Sequence, residues 1–183
     1  LELLYGNLMQ VFSELIRTAI IAPEGYTFIV ADYSAIEARV IAWLADEKWR
    51  LDVFAGHGKI YEASAAQMFK VPIDSITKDS PERAKGKVAE LALGYQGSIG
   101  ALKAMGGEAM GLSETEMKSL VDQWRKANYN IVKLWYNTES LAKAAIKAPG
   151  TIIRGTRGVE FQMIGDTLFI KLPSGRRLAY KNA

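Results

Sequence analysis

Cysteine is absent from this sequence, and histidine occurs once, as His57. The first absence excludes disulfides and thiolate-held metals. The second argues against a histidine-based metal centre or a serine–histidine triad. Long apolar runs are missing too: no stretch approaches the roughly 20 apolar residues a membrane span needs. The N-terminus lacks the basic, apolar and small-residue order of a secretory signal. The expected setting is the cytoplasm, with no membrane partner. No internal repeat and no low-complexity tract breaks the chain. Nearly half of the residues are apolar and about a quarter charged, over 183 positions. That is ordinary globular composition, with room for one domain or two small ones.

The net charge is +3, unevenly spread. Residues 1–150 carry 17 basic and 18 acidic side chains, a net of −1, whereas residues 151–183 carry six and two, a net of +4. A basic terminal segment suits a polyanion. A solvated hairpin would explain the same charge equally well.

Apolar spacing predicts a helix around Leu8, Val11, Phe12, Leu15 and Ile16, then a turn at Pro23–Gly25. Tyr26 to Ala31 reads as a short buried strand that Asp32 ends. Ser34 and Glu37 fit a capping box for a helix carrying Ile36, Val40, Ile41 and Leu44. His57–Gly58 interrupts the next stretch, and a helical pattern resumes from Tyr61 to Phe69. Ser80–Pro81 starts a helix expected to run to about Tyr95. Ser113 and Glu116 form a second capping box. Ile131, Leu134, Trp135 and Leu141 mark a helix that stops before Pro149–Gly150. Thr167–Leu172 and Arg177–Tyr180 flank Pro173–Gly175 as a hairpin.

Two units carry chemistry. In Asp32-Tyr33-Ser34-Ala35-Ile36-Glu37-Ala38-Arg39, an aspartate closing an apolar strand can present a carboxylate to a hard divalent cation. It can equally end the strand with an Asx turn, and capping alone accounts for Glu37. In the second unit, Arg83, Lys87, Leu91 and Tyr95 recur at four-residue steps, each about 6 Å further along a helix. Cations at one end and a ring roughly 18 Å away match an elongated ligand with phosphates and a flat base. The helix N-terminus favours the phosphate side. Taken singly, such residues are more often solvated or core; Lys85, on the far side, is expected to be solvated.

The stretch from Ile29 to Leu44 resembles motif A of family A DNA polymerases, whose pattern is D-Y-S-x-I-E-x-R. Arg83 to Gly97 resembles motif B, the fingers O helix, in the bacteriophage form. Ile16–Gly25 is similar to the segment leading into motif A, Tyr61–Pro72 to a fingers helix, and Leu172–Leu178 to a hairpin beyond. The resemblance implies an α+β segment of a larger enzyme. Residues 1–48 would be a partial palm with motif A, 49–150 helical fingers with the O helix at about 81–95, and 151–183 a basic β-hairpin segment. It implies template-directed DNA synthesis from dNTPs on primer-template DNA, in a bacterial host's cytoplasm, with two Mg²⁺ ions. Asp32 would hold both ions, with the Tyr33 carbonyl as a further ligand. Arg83 and Lys87 would grip the triphosphate, Leu91 face sugar and base, Tyr95 stack at the insertion site, and Glu37 exclude a ribose 2′-hydroxyl. Arg39, Tyr95, Gly97 and Ser98 would meet DNA.

The departures are specific. Leu91 stands where the family has Phe or Tyr, Ala35 where Gln is common, Gln96 where a glycine follows the tyrosine, and Tyr61 where many bacterial members have histidine. Motif C, the His-Asp-Glu with the second metal-binding aspartate, is nowhere in the chain, and Asp166 reads as a turn. The chain by itself is therefore expected to be inactive and to self-associate through the unpaired Tyr26–Ala31 strand. A metal-dependent nuclease would need three or four clustered carboxylates beginning Asp-x-Glu, and none is present. A nucleic-acid-binding module without chemistry is the other alternative, and it should ignore dNTP–Mg²⁺.

Overall fold

The computed structural model describes residues 7–183, so the first six positions of the expected 1–48 segment lie outside the described residues. The chain divides into a unit ending at Ser34 and a unit from Ala35 to Ala183. In the first, helix α1 spans Leu8–Ile16, where the Asn7 side chain accepts from the Met9 and Gln10 amides. A 3-10 turn at Arg17–Ala19 follows, and the Tyr26 amide donates to the Pro23 carbonyl with Gly25 at φ 83°. None of the described residues of this unit is buried.

The strand expected at Tyr26–Ala31 does not form; these residues lie in no sheet, and Ile29 and Val30 are 93% and 92% exposed. A strand exists only by pairing. β-Branched and aromatic residues favour a pleated, half-buried surface without supplying the neighbour that completes it.

The second unit is mostly helical: α2 Ile36–Ala45, α3 Lys48–Ala55, α4 Ile60–Phe69, α5 Pro81–Leu93, α6 Ile99–Ala104, α7 Glu114–Ala127 and α8 Tyr129–Lys147. Two expected helix starts are present. Ser80 caps α5 with Pro81 in the first turn, and Ser113 and Glu116 form a reciprocal capping box on α7. The third is not. The N-cap of α2 is Ala35, at φ 50° and ψ 42°, with no side-chain cap. Glu37 is thus the second helical residue rather than the third, one position short of what a capping box needs.

Two apolar clusters hold this unit. Met68, Leu93, Leu102, Met117, Leu120, Trp124 and Ile131 gather helices α4 to α8, and the Trp124 and Trp135 rings stack at 5.9 Å. Gly86 lets α4 and α5 approach closely: a Cβ there would fall 2.4 Å from the Tyr61 carbonyl oxygen. The second cluster joins Ala145 of α8 to a four-stranded antiparallel meander, β1 Ile152–Arg154, β2 Glu160–Ile164, β3 Thr167–Lys171 and β4 Arg177–Lys181. The expected hairpin is its β3–β4 half, in register Lys171 opposite Arg177, and Asp166 lies in the β2–β3 turn as expected. The other half was not anticipated: β1 has only three residues, and no Pro-Ser-Gly turn signal like that between β3 and β4 marks the connections on either side of β2. Arg157, between β1 and β2, pairs with Asp46 at 2.8 Å and ties the sheet to the end of α2.

A buried polar network crosses the helical cluster. Glu90 of α5 accepts from both Arg50 terminal nitrogens, from the Ser64 hydroxyl and from the Trp124 indole at 2.9 Å. Arg50 also donates to Asn128 at 2.9 Å, and Asn128 to the Trp124 carbonyl at 2.8 Å. Arg50 is 1% exposed and Glu90 6%. Removing one charge of such a pair strands the other in low dielectric, at a cost of about 3–5 kcal/mol, whereas apolar replacement of both is far milder. Glu90→Gln should therefore lower the denaturant midpoint sharply, and Arg50→Met with Glu90→Leu should recover much of the loss. Parental midpoints in both single variants would show that the pair does not hold the fold.

Candidate functional site

Helix α5 has two faces. Gly86, Ala89, Glu90 and Leu93 are buried, at the spacing of one helical stripe. On the outward face Lys87 and Leu91 are exposed and Arg83 half-buried; Tyr95, 66% exposed, follows just past the helix end. Arg83, Lys87 and Leu91 follow one another at four-residue steps along α5, whereas the helix ends at Leu93, short of Tyr95.

Their chemistry differs along the line. The Arg83 Nε donates to Glu62 at 2.7 Å, and its guanidinium lies 5.7 Å from the Tyr61 ring centroid. Burial raises the Glu62 carboxyl, but the Arg83 hydrogen bond and charge, with Lys59 behind them, outweigh it and hold it below its ordinary value. Arg83 is thus already engaged. Lys87 makes no ion pair among the described residues, so its ammonium is available to an anion. Lys85 is not simply solvated as expected: it is half-buried with its ammonium 6.0 Å from the Phe69 ring centroid. The long methylene stem of lysine allows that compromise.

Glu37 of α2 comes to the Tyr95 end of the stripe. Residual burial and then the hydrogen bond and charge of Glu37 hold the Tyr95 phenol above its ordinary value. A pocket opens here, lined by Glu37, Ile41, Tyr61, Leu91 and Tyr95, with Arg50 and Glu90 also in its wall. The structure therefore brings together Glu37, Leu91 and Tyr95. The absent cap explains Glu37's freedom: a carboxylate not folded back on its own helix can meet a neighbour.

Other candidates lie elsewhere. Asp32 and Tyr33 belong to the first unit, where both are exposed. Asp32 is a hard oxygen donor and suits Mg²⁺, which takes few protein ligands. No group of three Asp, Glu, His or Cys residues able to hold a metal occurs among the described residues. Arg39 is half-buried, its guanidinium 4.5 Å from the Phe54 ring centroid. Gly97 sits at a close crossing, where a Cβ would fall 1.9 Å from the Ala92 carbonyl oxygen, and its own carbonyl accepts from Arg125 at 3.1 Å. Ser98 is exposed and precedes α6 without capping it.

Arg50 and Glu90, which form the pocket's inner wall, were not singled out from sequence. A signal existed: Glu90 is the one charge on the buried stripe of Gly86, Ala89 and Leu93. A carboxylate there demands a buried partner.

The comparisons with known proteins concern the chain's family. The sequence model of DNA polymerase family A matches residues 8–160. A DNA polymerase of Bacillus phage SP02 is 61% identical over 180 residues, which cover 98% of this chain and 28% of that protein. DNA polymerase I of Pseudomonas aeruginosa is 34% identical over 110 residues, 60% of this chain and 11% of that one. DNA polymerase I of Rhizobium leguminosarum is 39% identical over 70 residues, 38% and 7% of the two chains. The chain thus spans between about a fourteenth and a little over a quarter of the length of these relatives, and it belongs to DNA polymerase family A.

Proposed function

We propose that this chain carries the nucleotide-gripping helix and one metal-binding carboxylate of a template-directed DNA polymerase, which joins dNTPs to a primer 3′-oxygen. The observation that supports it best is the outward stripe of α5: a free Lys87, then Leu91, then Tyr95 beside Glu37. In this reading residues 1–48 are part of a palm, 49–150 fingers, and 151–183 a basic β segment.

Lys87 takes the triphosphate, and Arg83 adds less because Glu62 already holds it. Leu91 faces the sugar and base, Tyr95 supports the insertion site, and Glu37 bounds the sugar on the 2′ side. Arg39, Gly97 and Ser98 border the DNA. Asp32 and the Tyr33 carbonyl hold Mg²⁺, which supplies charge neutralisation at the attacking and leaving oxygens when bound. A second carboxylate completes the metal site in this reading, since one aspartate cannot keep two cations close together. No helix among the described residues is long and apolar enough to cross a membrane. The reaction is assigned to the cytoplasm of a bacterial host. The exposed apolar run Tyr26–Val30 is the segment through which separate copies of the chain would associate.

Lys87→Ala should weaken dNTP–Mg²⁺ binding by about 1.5–3 kcal/mol, the worth of a hydrogen bond to a charged group, or roughly 10- to 150-fold. Arg83→Ala should cost less. Titration with a fluorescent dNTP measures both, and unchanged affinity in each would sink the phosphate-grip reading. A nucleic-acid-binding module without chemistry would bind no dNTP in the parent chain either.

Glu37→Ala in the polymerase that contains this segment should raise ribonucleotide incorporation relative to dNTPs. Because Glu37 forms no capping box, the thermal midpoint should barely move. A lowered midpoint with unaltered sugar choice would assign Glu37 to stability instead.

The 183-residue chain alone should give no template-dependent primer extension with Mg²⁺ and all four dNTPs. Product would mean that a second carboxylate within the chain completes the metal site.

A further inference from the structure

Every charged residue in the four strands lies on one face of the sheet. The register aligns Arg154, Glu160, Lys171 and Arg177 as a single row across β1 to β4, and places Lys181 opposite Thr167, at the other end of β3 from Lys171. At the usual strand spacing that row is about 14–15 Å long. The opposite face, with Phe161, Met163 and Leu168, is the one packed on α8. The charged face thus carries four cations against one carboxylate.

Solvation alone does not account for this arrangement. Lys171 and Arg177 stand directly opposite each other on adjacent strands, an unfavourable like-charge pair. Glu160 is the only strand carboxylate available to relieve it. Glu160 lies 3.0 Å from Lys171 and 3.8 Å from Arg154. Arg154 remains 83% exposed, and Arg177 and Lys181 are exposed as well. Arg177 lies 6.0 Å from the ring centroid of Phe169, in the middle of the same face. Asp166, in the turn at the Lys181 end, is the nearest further acid in sequence. A face that keeps cations opposed at a cost to folding is matched to an anion from outside.

We infer that this face docks on the phosphodiester backbone of DNA, through Arg154, Arg177 and Lys181 with Lys171 shared with Glu160. The choice of DNA follows from charge complementarity to a regular line of phosphates. It also rests on the reading of this chain as part of a DNA polymerase. Cations spread over one face of a sheet, with Glu160 the one carboxylate in its strands, contact phosphates without reading bases.

The test is anisotropy of a labelled DNA duplex titrated with the 183-residue chain between 50 and 200 mM salt. The Arg154→Gln, Arg177→Gln, Lys181→Gln triple variant should bind about 10-fold or more weakly at the lower salt. Its slope of log affinity against log salt should shrink by about 2–3, near one per lost phosphate contact. Glu160→Gln should bind more tightly than the parent, since Lys171 is released. Parental affinity and slope in the triple variant would overturn the inference, provided its unfolding midpoint and circular dichroism match the parent. The triple variant should still bind dNTP–Mg²⁺ as the parent does. A null result at the sheet beside normal dNTP binding would therefore leave the nucleotide reading standing. Loss of dNTP binding in every chain with the salt effect intact would do the reverse. Equal binding to phosphatidylserine vesicles, lost in the same variant, would overturn the assignment to DNA.

Discussion

The buried pair between Arg50 and Glu90 is the constraint on which the rest of the helical unit depends. Burying two charges is costly, and their attraction repays it only when the remaining donors and acceptors are satisfied. Here Ser64, Trp124 and Asn128 satisfy most of them, Ser64 from one helix and Trp124 with Asn128 from the end of another, while the Arg50 Nε has no partner among the described residues. The network thus fastens α3, α4, α5 and the α7–α8 junction at one point. Apolar packing would tolerate a helix rotated by some degrees, but a carboxylate with several fixed donors does not. Since Glu90 immediately precedes Leu91, locking it also sets where Leu91 and Lys87 point. The availability of Lys87 to a ligand is in this sense a consequence of how Glu90 is held.

Glu47 works in a similar way at the base of α8. It is 7% exposed and accepts from the Asn130 amide at 2.8 Å, in the first turn of that helix. Burial raises its carboxyl above the ordinary value, against the opposing pull of the Asn130 and Ile131 amides and of Arg50. One buried acid fixes the orientation of α5, and another fixes the start of α8, which in turn carries the sheet. The indole of Trp49, donating to the Ala127 carbonyl at 2.9 Å, closes the same junction from α3. Polar contacts set directions here, while Trp124, Leu93 and Ile131 supply the buried area.

Much of this was legible in the sequence, and the remainder failed for identifiable reasons. Helix starts written by local hydrogen bonds, at Ser80 and Ser113, were readable because their determinants lie within four residues. The alternation of β3 and β4 around Pro173–Gly175 was readable for the same reason. Tyr26–Ala31 has the composition of a strand, yet whether a strand forms depends on a partner that composition cannot name. The Ser34 capping box had the right letters, but Ala35 adopts the left-handed conformation and takes the cap position itself. Arg50 and Glu90 are 40 residues apart, and nothing local in either segment announces the other. The four-residue steps from Arg83 to Leu91 lie along one helix, but that helix ends two residues before Tyr95. That Arg83 is engaged depends on Glu62, which only the packing of α4 on α5 reveals.

The end of α5 shows how a departure from the family pattern is accommodated. Gln96 stands where a glycine commonly follows the tyrosine, and it takes φ 63° without a glycine's freedom. Such a conformation costs a non-glycine residue about 1–2 kcal/mol. The next position makes it tenable: Gly97 passes the Ala92 carbonyl at a distance no side chain would allow. Its own carbonyl is then met by Arg125 from α7. The turn is held by a missing Cβ on one side and a hydrogen bond on the other, and the left-handed Gln96 is what remains to close it. The backbone of Tyr95, within this turn, is therefore held from both directions, by Leu93 in the core and by Gly97 against Ala92. An exposed ring on a well-anchored backbone can be offered to a ligand at a reduced entropic cost, because only the side-chain torsions are left to order.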